Sequence, residues 1–176
     1  NSGKLTWTAD EGIDANLVSA FKHASEALDV NAQGAHAIKD GQVSFNLESD
    51  VQAVLGNGTF IGHNTVVFAD HHFCNAELSE SLAWKLVPKA SLEGTLQASI
   101  DEHGIQSAKA LASYKTLVGG TTIDTTGSGV TITNNRLTQA QFQAALTNLF
   151  GENAQLSNSG SATWTSEGGI SAEVSS

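Results

Sequence analysis

The densest group of reactive side chains is His63-Asn64-Thr65-Val66-Val67-Phe68-Ala69-Asp70-His71-His72-Phe73-Cys74, which holds half of the six histidines and the single cysteine. Read as a strand, this segment puts Asp70, His72 and Cys74 on one face and His71 on the other. Carboxylate, imidazole and thiolate are ligand types for transition metals, and residues two apart on a strand stand ~7 Å apart. These three supply part of a ligand set, and a further donor has to come from His63, His36 or His103. The implied cofactor is a metal ion or haem. The spacing matches no established ligand motif, and the plainer reading is a strand end with solvated histidines and a small buried hydrophobe at Cys74.

Catalytic motifs are absent. A Cys–His nucleophile pair needs the imidazole within hydrogen-bond reach of the thiol. His72 and Cys74, with Cβ atoms ~6.5–7 Å apart along one strand, do not meet. The glycines around Gly56 and Gly127 fit neither phosphate-binding pattern, and no serine lies in a G-x-S-x-G setting. Asp10-Glu11 and Asp101-Glu102 offer carboxylates to Ca²⁺ but lack the alternating oxygen spacing of an EF-hand loop, and read as solvated turn charges. Asn57-Gly58-Thr59 is a formal glycosylation sequon. The chain reads as a non-enzyme.

Composition narrows the partners. The chain has 176 residues, one domain by size, with 8 basic and 18 acidic side chains and a net charge of −10. Arg136 is the only arginine. Such a charge repels phosphate and anionic membranes, so nucleic acid and membrane insertion are excluded from this reading. No stretch approaches the ~20 apolar residues of a membrane helix. The opening Asn1-Ser2-Gly3-Lys4 reads as a mature or trimmed terminus. No methionine and an abundance of Ser, Thr, Asn, Gly and Ala point to an extracellular or cell-surface protein.

The elements that position these residues alternate with a period of two. Val43, Phe45 and Leu47 are separated by Ser44 and Asn46, as in a half-buried strand. Gly56-Asn57-Gly58 reads as a hairpin turn between Val51–Leu55 and Thr59–Ile61. Further strands are read at 65–73 and 83–87, the second ended by Pro88. Asp101-Glu102-His103-Gly104 reads as a turn leading into a long strand from Ile105 to Val118, which Gly119-Gly120 breaks. Thr121–Ile123 and Val130–Thr133 then flank a turn at Gly127. Two amphipathic helices are predicted near the ends. One runs over 14–29, capped by Asp14, with Leu17, Phe21, Ala24 and Leu28 on one face. The other runs over 138–150, with Phe142, Ala145, Leu146 and Leu149 inward and Gly151 as C-cap. The expected fold is mainly β, an antiparallel sandwich or barrel with two helices, with α+β as the alternative.

The ends of the chain resemble each other. Leu5–Leu17 (LTWTADEGIDANL) aligns without a gap on Ala162–Val174 (ATWTSEGGISAEV), an offset of 157 residues taken as Trp164 minus Trp7. Trp7, Ile13, Trp164 and Ile170 occupy matching places and are the candidate assembly residues. Residues 1–160 are expected to form one β-rich domain. Residues 161–176, which resemble 4–19, then form a terminal strand that begins a next repeat or is exchanged between molecules. The remaining alternative is that the two segments pair within one monomer. The function this implies is an extracellular structural or adhesion module, one repeat of a surface protein or a subunit of a strand-exchanging filament, with self-association or neighbouring repeats as partner. The other function class is a small-ligand binder carrying metal or haem at His63–Cys74.

Overall fold

The computed structural model describes residues 2–8, 12–39, 42–70, 72–87, 89–150 and 154–176, with the backbone alone for 2–8, 12–14 and 87. The strands are β1 (Ser2–Thr8), β2 (Gly12–Ala24), β3 (Leu28–Lys39), β4 (Gln42–Leu55), β5 (Gly58–Ala69), β6 (His72–Val87) and β7 (Ala90–Asp101). They continue as β8 (Gly104–Val118), β9 (Thr121–Asp124), β10 (Ser128–Thr133), β11 (Arg136–Phe150), β12 (Ala154–Thr165) and β13 (Gly169–Ser175). All belong to one antiparallel sheet laid down in chain order, with β1 at one edge and β13 at the other. The mainly β expectation therefore stands. Among the described residues the sheet neither closes into a barrel nor folds over itself as a sandwich.

The two predicted helices are strands, and the reason lies in the spacing itself. Leu17 and Phe21, and likewise Phe142 and Leu146, are four residues apart, which places them on one face of a helix and equally on one face of a strand. The structure takes the second option. Leu17 and Phe21 lie on β2, opposite His36 and Ala32 of β3, while Ala24 ends β2 and Leu28 begins β3. Phe142 and Leu146 lie on β11, opposite Ala162 and Asn158, and Ala145 and Leu149 point to the other face. Asp14 is internal to β2 rather than a cap. Gly151 lies outside the described residues.

Short turns make the meander possible. Leu55 pairs with Gly58 across Gly56-Asn57, with Gly56 at φ 62°, as two-residue hairpins require. Asp101 pairs with Gly104 across Glu102-His103. Asn134 and Asn135 both take positive φ, 50° and 60°, matching a type I′ turn, and asparagine tolerates that region. Gly119-Gly120 separates β8 from β9 as expected. β6 ends at Val87, and Pro88 lies outside the described residues.

The Gly127 region departs from expectation because the chain does not reverse there. β9 and β10 lie end to end in a single rung, each pairing with β8 on one side and β11 on the other. Gly127, at φ 93°, kinks this rung. Hydroxyls repair the interrupted ladder: Tyr114 N–H donates to Thr125 Oγ1 at 2.9 Å, and Gln143 N–H donates to Ser128 Oγ at 3.0 Å. Backbone groups that lose a ladder partner are thereby kept paired.

Candidate assembly surfaces

Residues directly opposite in a ladder share a face, so the registers sort the sheet into two surfaces. One is apolar. It carries Val43, Phe45, Leu47 and Val51 of β4, Phe60, Val66 and Phe68 of β5, and Leu78, Leu82 and Trp84 of β6. It continues through Leu92 and Leu96 of β7, Tyr114 of β8, Val130 of β10, Phe142 of β11 and Trp164 of β12. An aromatic row, His36–Phe45–Phe68–Phe73, crosses four strands with ring centroids 4.6, 6.1 and 5.7 Å apart. The other surface carries Glu48, Asp50, His63, Thr65, Glu77, Gln97, Lys109, Lys115 and Glu173.

Among the described residues no second layer covers the apolar surface. The chain exposes 11913 Å², whereas a compact protein of this mass exposes about 8,100 Å². Phe21 is 60% and Phe142 57% exposed.

Two buried polar side chains, Glu80 and Asn64, interrupt it. Glu80 faces Gly62 on β5 and Leu96 on β7, and its carboxylate lies over Gly62 in space that a Cβ would fill. Glu80 Oε2 and the nearby Asn64 Oδ1 are buried without a hydrogen-bond partner among the described residues. Sequence reasoning missed this pair. Its signal was a Glu in the apolar phase of the Leu78–Leu82–Trp84 alternation.

The polar surface is organised by local pairs. Asp50 Oδ1 lies 2.6 Å from His63 Nδ1, and this hydrogen bond holds the His63 pKa above its ordinary 6.5. Thr126, through its hydroxyl and then its N–H, lowers the Asp124 pKa, and Lys115 at 3.4 Å adds to the effect. Asp101 accepts the His103 N–H at 2.8 Å and also Gln106 Nε2, which lowers its pKa and engages the carboxylate within its own turn. Asp10 and Glu11 lie outside the described residues.

The proposed metal ligands are scattered. His63 lies mid-strand on the polar surface, paired with Asp50. Asp70 occupies the β5–β6 turn at φ 50°. His72 opens β6 opposite Ala69. Cys74 falls where the β5–β6 register shifts, between Phe73 and Asn75, and its thiol approaches the His72 carbonyl at 3.8 Å. That bulge ends the simple alternation that aligned Asp70, His72 and Cys74. His71 lies outside the described residues. No three His, Cys, Asp or Glu side chains among the described residues converge as a metal site.

The similar end segments occupy the two opposite edges of the sheet and do not pair with each other. Each folds on itself as a hairpin, and the registers coincide. Trp7 pairs with Ile13 and Thr8 with Gly12 in β1–β2, while Trp164 pairs with Ile170 and Thr165 with Gly169 in β12–β13. Residues 161–176 are thus the last part of β12 together with β13. The side chains of Trp7 and Ile13 lie outside the described set, so the equivalence rests on backbone register. Trp164 and Ile170 share the apolar surface, where Ile170 is 79% exposed.

No protein family, curated protein or solved structure matches this chain.

Proposed function

We propose that this chain is a structural module that builds an extended β-sheet from repeated units, as part of an extracellular surface protein or filament. The carrying observation is that segments 157 residues apart form hairpins of identical register at the two edges of one sheet. A repeated edge lets one unit follow another without changing the ladder, the logic of solenoid and repeat proteins. The uncovered apolar surface supplies a second contact. Packed against the same surface of another copy, at the usual ~10 Å spacing, it completes the two-layer sandwich that the alternation of the strands implies. A lipid partner fits less well, because Glu80 and Asn64 place unpaired polar atoms near the middle of that surface, where a membrane barrel is apolar. The chemistry of the polar surface consists of local ion pairs and hydroxyl rows, which suits solvation and adhesion rather than catalysis.

Sedimentation velocity of the purified chain tests this reading. The expected result is a mass that rises with protein concentration, together with suppression of the larger species by Phe142→Asp. A chain that remains monomeric at every concentration up to about 0.5 mM would overturn it, since surfaces of ~800 Å² per partner suffice for stable association.

A further inference from the structure

The two edge strands are not equivalent to each other, and their inequality identifies what each edge accepts. β13 corresponds to β2, because Gly169–Ser175 aligns with Gly12–Val18 in both sequence and hairpin register. β2 is an interior strand, held by β1 on one side and by β3 on the other, from Ala15↔Ile38 to Ala24↔Asp29. Among the described residues β13 is held by β12 alone, and its other edge is open. Its residues are exposed throughout, Val174 at 87%. An open strand edge presents unpaired N–H and C=O groups that template another strand.

We infer that the open edge of β13 receives the β3 strand, Leu28–Lys39, of a following unit in which residues 158–176 of this unit stand in place of residues 1–19, so that this β3 has no β2 of its own, in the register that β2 uses. Moving the β2–β3 register by 157 residues sets Ala172 opposite Ile38, Glu173 opposite Ala37, Val174 opposite His36 and Ser175 opposite Ala35. In this arrangement Val174 and His36 meet on the apolar surface and Glu173 and Ala37 on the polar one, so the alternation of both faces continues across the junction. The opposite edge obeys the same rule. β1 corresponds to the end of β12, so where the β1–β2 hairpin stands in place of the preceding unit's β12–β13 hairpin, β1 takes that unit's β11 strand, with Trp7 opposite Ala140 as Trp164 is now. A one-residue slip would turn the incoming strand's apolar side chains to the polar surface, which is why the register is specified.

This inference rests on the repeat reading and adds the partner segment and its register. The test is a two-unit chain in which the full sequence is followed directly by residues 20–176, keeping the 157-residue frame, with Cys74→Ser in both units. Cysteine pairs are introduced as Glu173→Cys with Ala37→Cys of the second unit, and as Val174→Cys with His36→Cys of the second unit. Successive opposed pairs alternate between wide and close geometry, so one of the two should oxidise readily to a disulfide. A slipped control, Glu173→Cys with His36→Cys of the second unit, should not. Hydrogen exchange on the cysteine-free two-unit chain gives a second readout: those amides among Ala172–Ser175 that point away from β12 should become at least tenfold slower than in the single chain. Disulfide formation only in the slipped pair, or unchanged exchange at those amides, would overturn the inference. Self-association of the single chain is measured separately, so a wrong register defeats this inference while leaving the assembly reading intact.

Discussion

Replacing Glu80 by methionine should stabilise the isolated chain. Glu80 sits in the apolar phase of β6, flanked along the strand by Leu78 and Leu82 and across it by Gly62 and Leu96. Its Oε2 is buried without a donor, and no cation or N–H among the described residues compensates it. Leaving a buried acceptor unpaired costs roughly 1–3 kcal/mol. Methionine has nearly the same length and flexibility, fills the same space over Gly62, and removes that cost. The other carboxylate oxygen is not among the buried unpaired atoms, so only part of the penalty is recovered, and a gain of about 1 kcal/mol is expected. For a urea slope of about 2 kcal/mol/M this moves the unfolding midpoint up by about 0.5 M. Glu77→Met is the control: Glu77 lies on the polar surface opposite Thr65 and Ser99, and its change should stay within about 0.5 kcal/mol. A midpoint for Glu80→Met at or below that of Glu77→Met would refute the reasoning. A stabilised Glu80→Met that also associates more weakly would mark Glu80 as a group held for a partner at the expense of stability.

Phe21→Asp and Phe142→Asp, which a helical core would make severely destabilising, should each cost only about 1–2 kcal/mol in chemical unfolding, because both side chains are more than half exposed. Their larger effect should appear in sedimentation as weakened association. Truncation after Asn158 removes the second half of β12 and all of β13 but leaves the ladders from β1 to β11, so the remainder should stay folded by far-ultraviolet circular dichroism; outright unfolding would contradict the separation of the end hairpins. The raised His63 pKa means that its pairing with Asp50 contributes stability fully below pH 6.5 and loses it as pH rises through the raised value. The stability difference between the wild-type chain and His63→Gln should therefore be present at pH 5 and absent by pH 9, and a difference independent of pH would refute the pairing.

The antiparallel β character, several turns and the end repeat were legible in the sequence, because these are local properties. Period-two alternation in Val43–Leu47, the positive-φ glycine Gly56 and the turn at Asp101–Gly104 each bias the backbone within a few residues. The matching Thr-Trp-Thr segments are visible by inspection. Spacing could not decide between helix and strand at 14–29 and 138–150, because a step of four is common to both periods. That choice fell to the tertiary structure, where β2 and β11 each find ladder partners on both sides, and long-range pairing overrides local preference. The kinked β9–β10 rung was likewise invisible, since a positive-φ glycine serves a reversal or an in-line kink equally well. The candidate metal residues were aligned by assuming unbroken alternation, and the bulge at Cys74 removed that premise. Only the assembled sheet placed the two similar segments at opposite edges and left one surface apolar and uncovered. Edges and faces belong to the whole set of strand pairings, and no single stretch of sequence encodes them.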